Sequence, residues 1–210
     1  MNPSPPSSPP PAARLRRLEW LAALAGLGTA LGWLLLHTPP PAPLPEVPRA
    51  QLTLREGLLY SKDTAVPFTG IVTEYYEGGG RKSRSVVAQG FLEGLSEGWH
   101  TNGQKQIEEP FHAGVSHGRR VKWHPNGQKL AEVQVVQGQL EGLFRRWHAN
   151  GALAEEIPMK AGQPDGLSRA FYPSGSLQAE ARLQAGQVLE PHHWQNGQRP
   201  AGSVAQVAAH

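Results

Sequence analysis

From residue 51 onward the chain alternates short apolar runs with polar ones, and the alternation returns in register every 24 residues. WHTNGQK at 99–105 is followed by WHPNGQK at 123–129 and WHANGAL at 147–153. Glycines mark the same period at three positions: Gly70, Gly94, Gly118, Gly142 and Gly166; Gly79, Gly103, Gly127, Gly151 and Gly175; Gly90, Gly114, Gly138, Gly162 and Gly186. Runs of strand length bounded by Gly and Asn predict one β-hairpin per copy. The turns of copies two to five read Thr-Asn-Gly, Pro-Asn-Gly, Ala-Asn-Gly and Pro-Ser-Gly. That order predicts a three-residue loop, a type I turn closed by a left-handed glycine.

Such a loop pairs His100 with Gln104 and Trp99 with Lys105, and plain alternation from there assigns two faces. On one, Tyr75, Trp99, Trp123, Trp147 and Phe171 form an aromatic ladder. Val87, Phe111, Val135, Met159 and Leu183 form an aliphatic ladder on the same face, joined by Leu95, Val121, Val133, Leu143, Ile157 and Leu167. That face is apolar enough to bury, and the opposite face is expected to be solvated. It carries Tyr76, His100, His124, His148 and Tyr172, an acidic row of Glu108, Glu132, Glu156 and Glu180, and Arg120, Lys122 and Arg146.

The pattern Gly-x(4)-aromatic-aromatic/His-x-Asn-Gly-Gln/Lys, followed by a strand ending in apolar-x-x-Gly, resembles the MORN-repeat variant family. Pro67-Phe68-Thr69-Gly70, with GLLY at 57–60 just ahead, is similar to the opening of the YwqK-type antitoxin proteins. The resemblance covers roughly residues 52–200. It implies an all-β fold, an elongated single-layer antiparallel sheet of tandem hairpins used for binding rather than chemistry, and a protein partner that in the antitoxin form is a toxin. The first copy departs from the pattern with Glu77-Gly78-Gly79, and a sixth, EPHHWQNGQ, is one residue short. Irregular ends suit capping repeats.

The first fifty residues hold twelve of the 20 prolines, in tracts at 1–11 and 39–48. Each Pro fixes φ and removes a donor, so both tracts are expected to be extended spacers. Between them, the largely apolar run from Leu18 to Leu36 carries one charge, Glu19. As a helix it is about 28 Å long against a hydrocarbon core of roughly 30 Å, with Trp20 and Trp33 near the interfaces. Arg14, Arg16 and Arg17 precede it, so the positive-inside rule places the N-terminus in the cytoplasm and everything after Thr38 outside. A cleaved signal peptide competes, but no small-x-small site follows closely. The expected layout is a cytoplasmic tail (1–17), a transmembrane signal anchor in the cell (inner) membrane (18–37), a linker (38–50), the repeat domain (51–200) and a C-terminal tail (201–210).

Composition narrows the chemistry. The 210 residues carry a formal charge of +3 with basic residues scattered, so nucleic acid is not an expected partner. The absence of Cys excludes disulfides, thiolate metal sites and a Cys nucleophile. His100, His124 and His148 share their expected face with glutamates, yet equivalent positions in successive hairpins lie two strands, about 9.5 Å, apart. That is too far to share a zinc ion comfortably, and an Arg120–Glu132 pair is expected to be merely solvated. Serines lack a nucleophile-elbow context and the glycines are spaced for turns, so neither catalysis, a metal nor a cofactor is expected. Two function classes remain: a membrane-anchored protein-interaction module of antitoxin or immunity type, docking through the Tyr76, His100, His124, His148, Tyr172 row, and a cell-envelope structural, glycan- or lipid-binding protein.

Overall fold

The computed structural model describes residues 42–62 and 64–197. The expected transmembrane segment at 18–37 and the tail at 201–210 lie outside the described residues. Among the described residues no helix is long and apolar enough to cross a membrane.

Each copy forms the hairpin its turn residues require. In the copy that runs through Phe91–Trp99 and Lys105–His112, the His100 N–H donates to Gln104 O at 2.8 Å and the Gly103 N–H to His100 O at 2.9 Å. Gly103, Gly127, Gly151 and Gly175 all sit at φ between +83 and +85°. Gly127→Val is therefore expected to cost more than about 1 kcal/mol, because a β-branched side chain resists this region. Unchanged thermal unfolding of that variant would contradict the turn type. At the other edge, two-residue turns such as Gln89-Gly90 and Ala113-Gly114 have both residues at positive φ, the type I′ form that suits strand twist.

Successive hairpins add side by side in chain order, giving a 14-stranded sheet that is antiparallel throughout the repeats. Its first edge is covered by Glu46–Pro48, which runs parallel to Gly70–Tyr75. The second proline-rich tract thus supplies a strand within the segment expected as linker, and Pro45 and Pro48 blunt that edge. A separate hairpin, Leu52–Arg55 with Leu58–Ser61, packs over the first repeat. Leu52 and Phe68 close there on Val72 and Val87, with Val47, Leu59 and Leu92 alongside. This is the cap a repeat array needs at its end.

One local irregularity reverses the expected faces. Trp99 does pair with Lys105, but the next pair is Gly98 with Ile107, so Gln106 is an extra residue. Lys82, Leu130, Ala154 and Gln178 are the same bulge in the other copies. One inserted residue moves every later side chain of its strand to the other face. Val87, Phe111, Val135, Met159 and Leu183, with Val133 and Ile157, therefore lie opposite the aromatic ladder rather than beside it. Glu108, Glu132, Glu156 and Glu180 lie with the tryptophans. A second irregularity, between the Glu132–Arg145 and Gln134–Glu141 pairs, adds two residues and leaves the faces unchanged. The aliphatic face holds most of the core, with Val87 and Val135 0% exposed and Val133 5% exposed; Val121, opposite Glu132 on the tryptophan face, is buried as well.

Candidate functional site

The residues expected to form a solvated docking row do something else. Each sits just past its strand end, where its side chain reaches the turn of the following copy. The His100 Nε2 bonds Trp123 O at 2.9 Å, His124 Nε2 bonds Trp147 O at 2.9 Å and His148 Nε2 bonds Phe171 O at 2.8 Å. A carbonyl only accepts, so Nε2 is the protonated nitrogen in all three rings. Tyr76 Oη donates to Trp99 O at 2.7 Å and Tyr172 Oη to Trp194 O at 3.1 Å. All five side chains are half-buried.

The turn asparagines make a parallel set of ties. Asn102, Asn126 and Asn150 donate Nδ2 to Pro125 O, Ala149 O and Pro173 O at 2.7–2.8 Å. Each Oδ1 meanwhile accepts the backbone N–H two residues on at 3.1 Å, as an Asx turn does. In WHxNG, then, His and Asn link copies and Gly makes the turn.

On the tryptophan face, cations alternate with aromatic rings. Arg81 lies 5.6 Å and Lys105 6.0 Å from the Trp99 ring centre, and Lys129 lies 5.0 Å from that of Trp147. Toward the middle of the strands the same face carries a run of ion pairs. Lys105 bridges Glu97 and Glu108, Lys129 and Arg119 meet on Glu132, Arg145 binds Glu156 at 2.9 Å and Arg169 binds Glu180 at 2.9 Å. The expected Arg120–Glu132 pair does not form. Arg120 lies opposite Val133 on the core face and pairs with Glu109 instead.

Hydrogen bonds from Lys129, and next from Arg119, hold the Glu132 carboxyl below the ordinary value of 4.5 despite its burial, while Glu108 and Glu97 raise the Lys105 ammonium. A depressed carboxylate stabilises the fold above 4.5 and loses that contribution as pH falls through its lowered folded value. Glu132→Gln is accordingly expected to lower the melting temperature at pH 7 and to leave it near wild type at strongly acid pH. Equal losses at both pH values would refute the assignment.

Beyond the ion pairs, the tryptophan face exposes apolar groups in repeat register: Leu95 at 41%, Leu143 at 37% and Leu167 at 40%, with Tyr75 at 50% at the end of the aromatic row. Leu95, Leu143 and Leu167 were visible in the sequence, but plain alternation assigned them to a buried core. Among the described residues no group of three or more His, Cys, Asp or Glu gathers as metal ligands would.

Tandem hairpins, stapled copy to copy at their turns and presenting one repeated face, define a β-repeat protein. The MORN repeat variant family model matches residues 92–113, 140–161 and 164–184, so these copies are MORN-variant repeats. No curated protein matches the chain.

Proposed function

We propose that the chain is a non-catalytic, membrane-tethered interaction module whose docking surface is the tryptophan face. The observation that carries this reading is the recurrence of exposed Leu95, Leu143 and Leu167 beside half-buried tryptophans, on the face opposite both the aliphatic core and the N-terminal cap. Aromatic anchors ringed by satisfied ion pairs are what protein interfaces favour. The apolar segment 18–36 is the tether, with Arg14, Arg16 and Arg17 on the cytoplasmic side and the repeats outside. Antitoxin or immunity activity is the specific form the family resemblance adds, and outside the membrane it requires an exported toxin.

The test is crosslinked capture from membranes with the full chain, run beside Leu95→Ser, Leu143→Ser and Leu167→Ser combined. The triple variant should melt as wild type does and lose its crosslinked partner. Undiminished capture sinks the tryptophan face as the docking surface. Protease added outside spheroplasts should remove everything beyond Thr38, whereas complete protection until lysis reverses the orientation.

A further inference from the structure

Three of the four Asn-Gly turns are alike, and the fourth is not. At Asn102, Asn126 and Asn150 the side-chain amide is held at both ends, Nδ2 by a carbonyl of the following copy at 2.7–2.8 Å and Oδ1 by the N–H two residues on at 3.1 Å. The N–H of the next residue is engaged as well: Gly103, Gly127 and Gly151 donate to the carbonyls of His100, His124 and His148 at 2.9 Å. Asn196-Gly197 closes the last copy, and among the described residues no further copy follows to supply a carbonyl.

Asn196 is held from the preceding copy instead. That copy turns through Pro-Ser-Gly, so Ser174 and Ser176 stand where copies two to four have Asn, and Gln or Ala. Ser174 Oγ and Ser176 Oγ each donate to Asn196 Oδ1 at 2.7 Å, and the Gly197 N–H donates to Ser176 Oγ at 3.3 Å. One hydroxyl therefore bridges the amide oxygen of Asn196 and the backbone nitrogen that follows it. Asn196 and Gly197 are both exposed to water. An Asn amide followed by glycine, whose nitrogen has no Cβ beside it, closes readily to a five-membered imide, and hydroxyls already placed on the oxygen stabilise the negative charge that closure develops.

We propose that Asn196-Gly197 is a self-modifying site, where Ser174 and Ser176 promote conversion of Asn196 to a mixture of aspartate and isoaspartate. Gly197 N attacks Asn196 Cγ, its proton passing to Ser176 Oγ while the Ser176 hydroxyl proton passes to Oδ1. Ser174 holds the same oxygen as the carbon becomes tetrahedral. The Cγ–Nδ2 bond then breaks, the Oδ1 proton leaves on the nitrogen as ammonia, and the carbonyl re-forms within the imide. Water opens the ring at either carbonyl, so the sum is amide plus water giving carboxylate and ammonium. The product adds a negative charge to the last turn, and isoaspartate also lengthens its backbone. None of this depends on the docking role of the tryptophan face.

The experiment is peptide mapping by mass spectrometry, with isoaspartate detection, of the full-length chain incubated at neutral pH with and without denaturant. In denaturant the four Asn-Gly sites should convert at one common rate. In the folded chain Asn196 should convert faster than that rate, while Asn102, Asn126 and Asn150 lag it by about tenfold or more, since at least two hydrogen bonds must break to free each. Ser176→Ala removes the proton relay and should bring Asn196 down to the denatured rate or below it, whether or not the last hairpin of the variant holds. Conversion of Asn196 in the folded chain no faster than in denaturant, no lag at the other three sites, or an undiminished rate in Ser176→Ala overturns the proposal.

Discussion

Val135→Asp is expected to abolish the cooperative thermal transition of the repeat sheet. Val135 is 0% exposed and faces the aliphatic core, opposite Gly118 on one side and Leu140 on the other. An ionised carboxylate there has no cation opposite it in register, and burying an unpaired charge costs about 4 kcal/mol or more. Trp123→Ala, by contrast, should cost only about 1–2 kcal/mol, below the 3–5 typical of a fully buried aromatic, because Trp123 is half-buried on the other face. Circular dichroism melting of the two variants checks the order directly. If Trp123→Ala proves the more damaging, the aromatic ladder is the core after all.

The second large effect concerns the three histidines. On a solvated face His100, His124 and His148 would be replaceable at little cost. Here each removal breaks one tie of 2.8–2.9 Å to the next copy. At about 1 kcal/mol for each hydrogen bond, the triple Ala variant should lose about 3 kcal/mol in all. Copies in a linear array hold together through their nearest-neighbour interfaces, so the transition should also broaden as neighbouring hairpins uncouple. A melting curve superimposable on wild type would show that the ties contribute nothing in solution and would return these rings to the list of candidate docking groups.

The first of these effects has its cause in one residue per copy. Thr-Asn-Gly and Pro-Asn-Gly specify the loop, and Trp99 does face Lys105. Strict alternation along the returning strand fails at Gln106, the inserted residue. The five bulge residues, Lys82, Gln106, Leu130, Ala154 and Gln178, share neither size nor polarity, so nothing in their chemistry announced the insertion. The signal that was present lay in the charges. With the bulge, Lys105 meets Glu108 and Lys129 meets Glu132 on one face; without it, each pair would have straddled the sheet.

The sequence by itself determined the period, the existence of a hairpin in every copy, the type of turn and the left-handed glycines. These are local matters: a turn is specified by three or four consecutive residues whose allowed φ and ψ depend on their own side chains. Tertiary structure decided which face is core, which carboxylate meets which cation, and that the histidines and asparagines bind the following copy. Those outcomes depend on strand parity and on contacts about 23 residues apart in the chain, such as His124 with Trp147. Parity has no local signature, because a single extra residue leaves each neighbour's conformation acceptable while reversing the direction of every side chain that follows it.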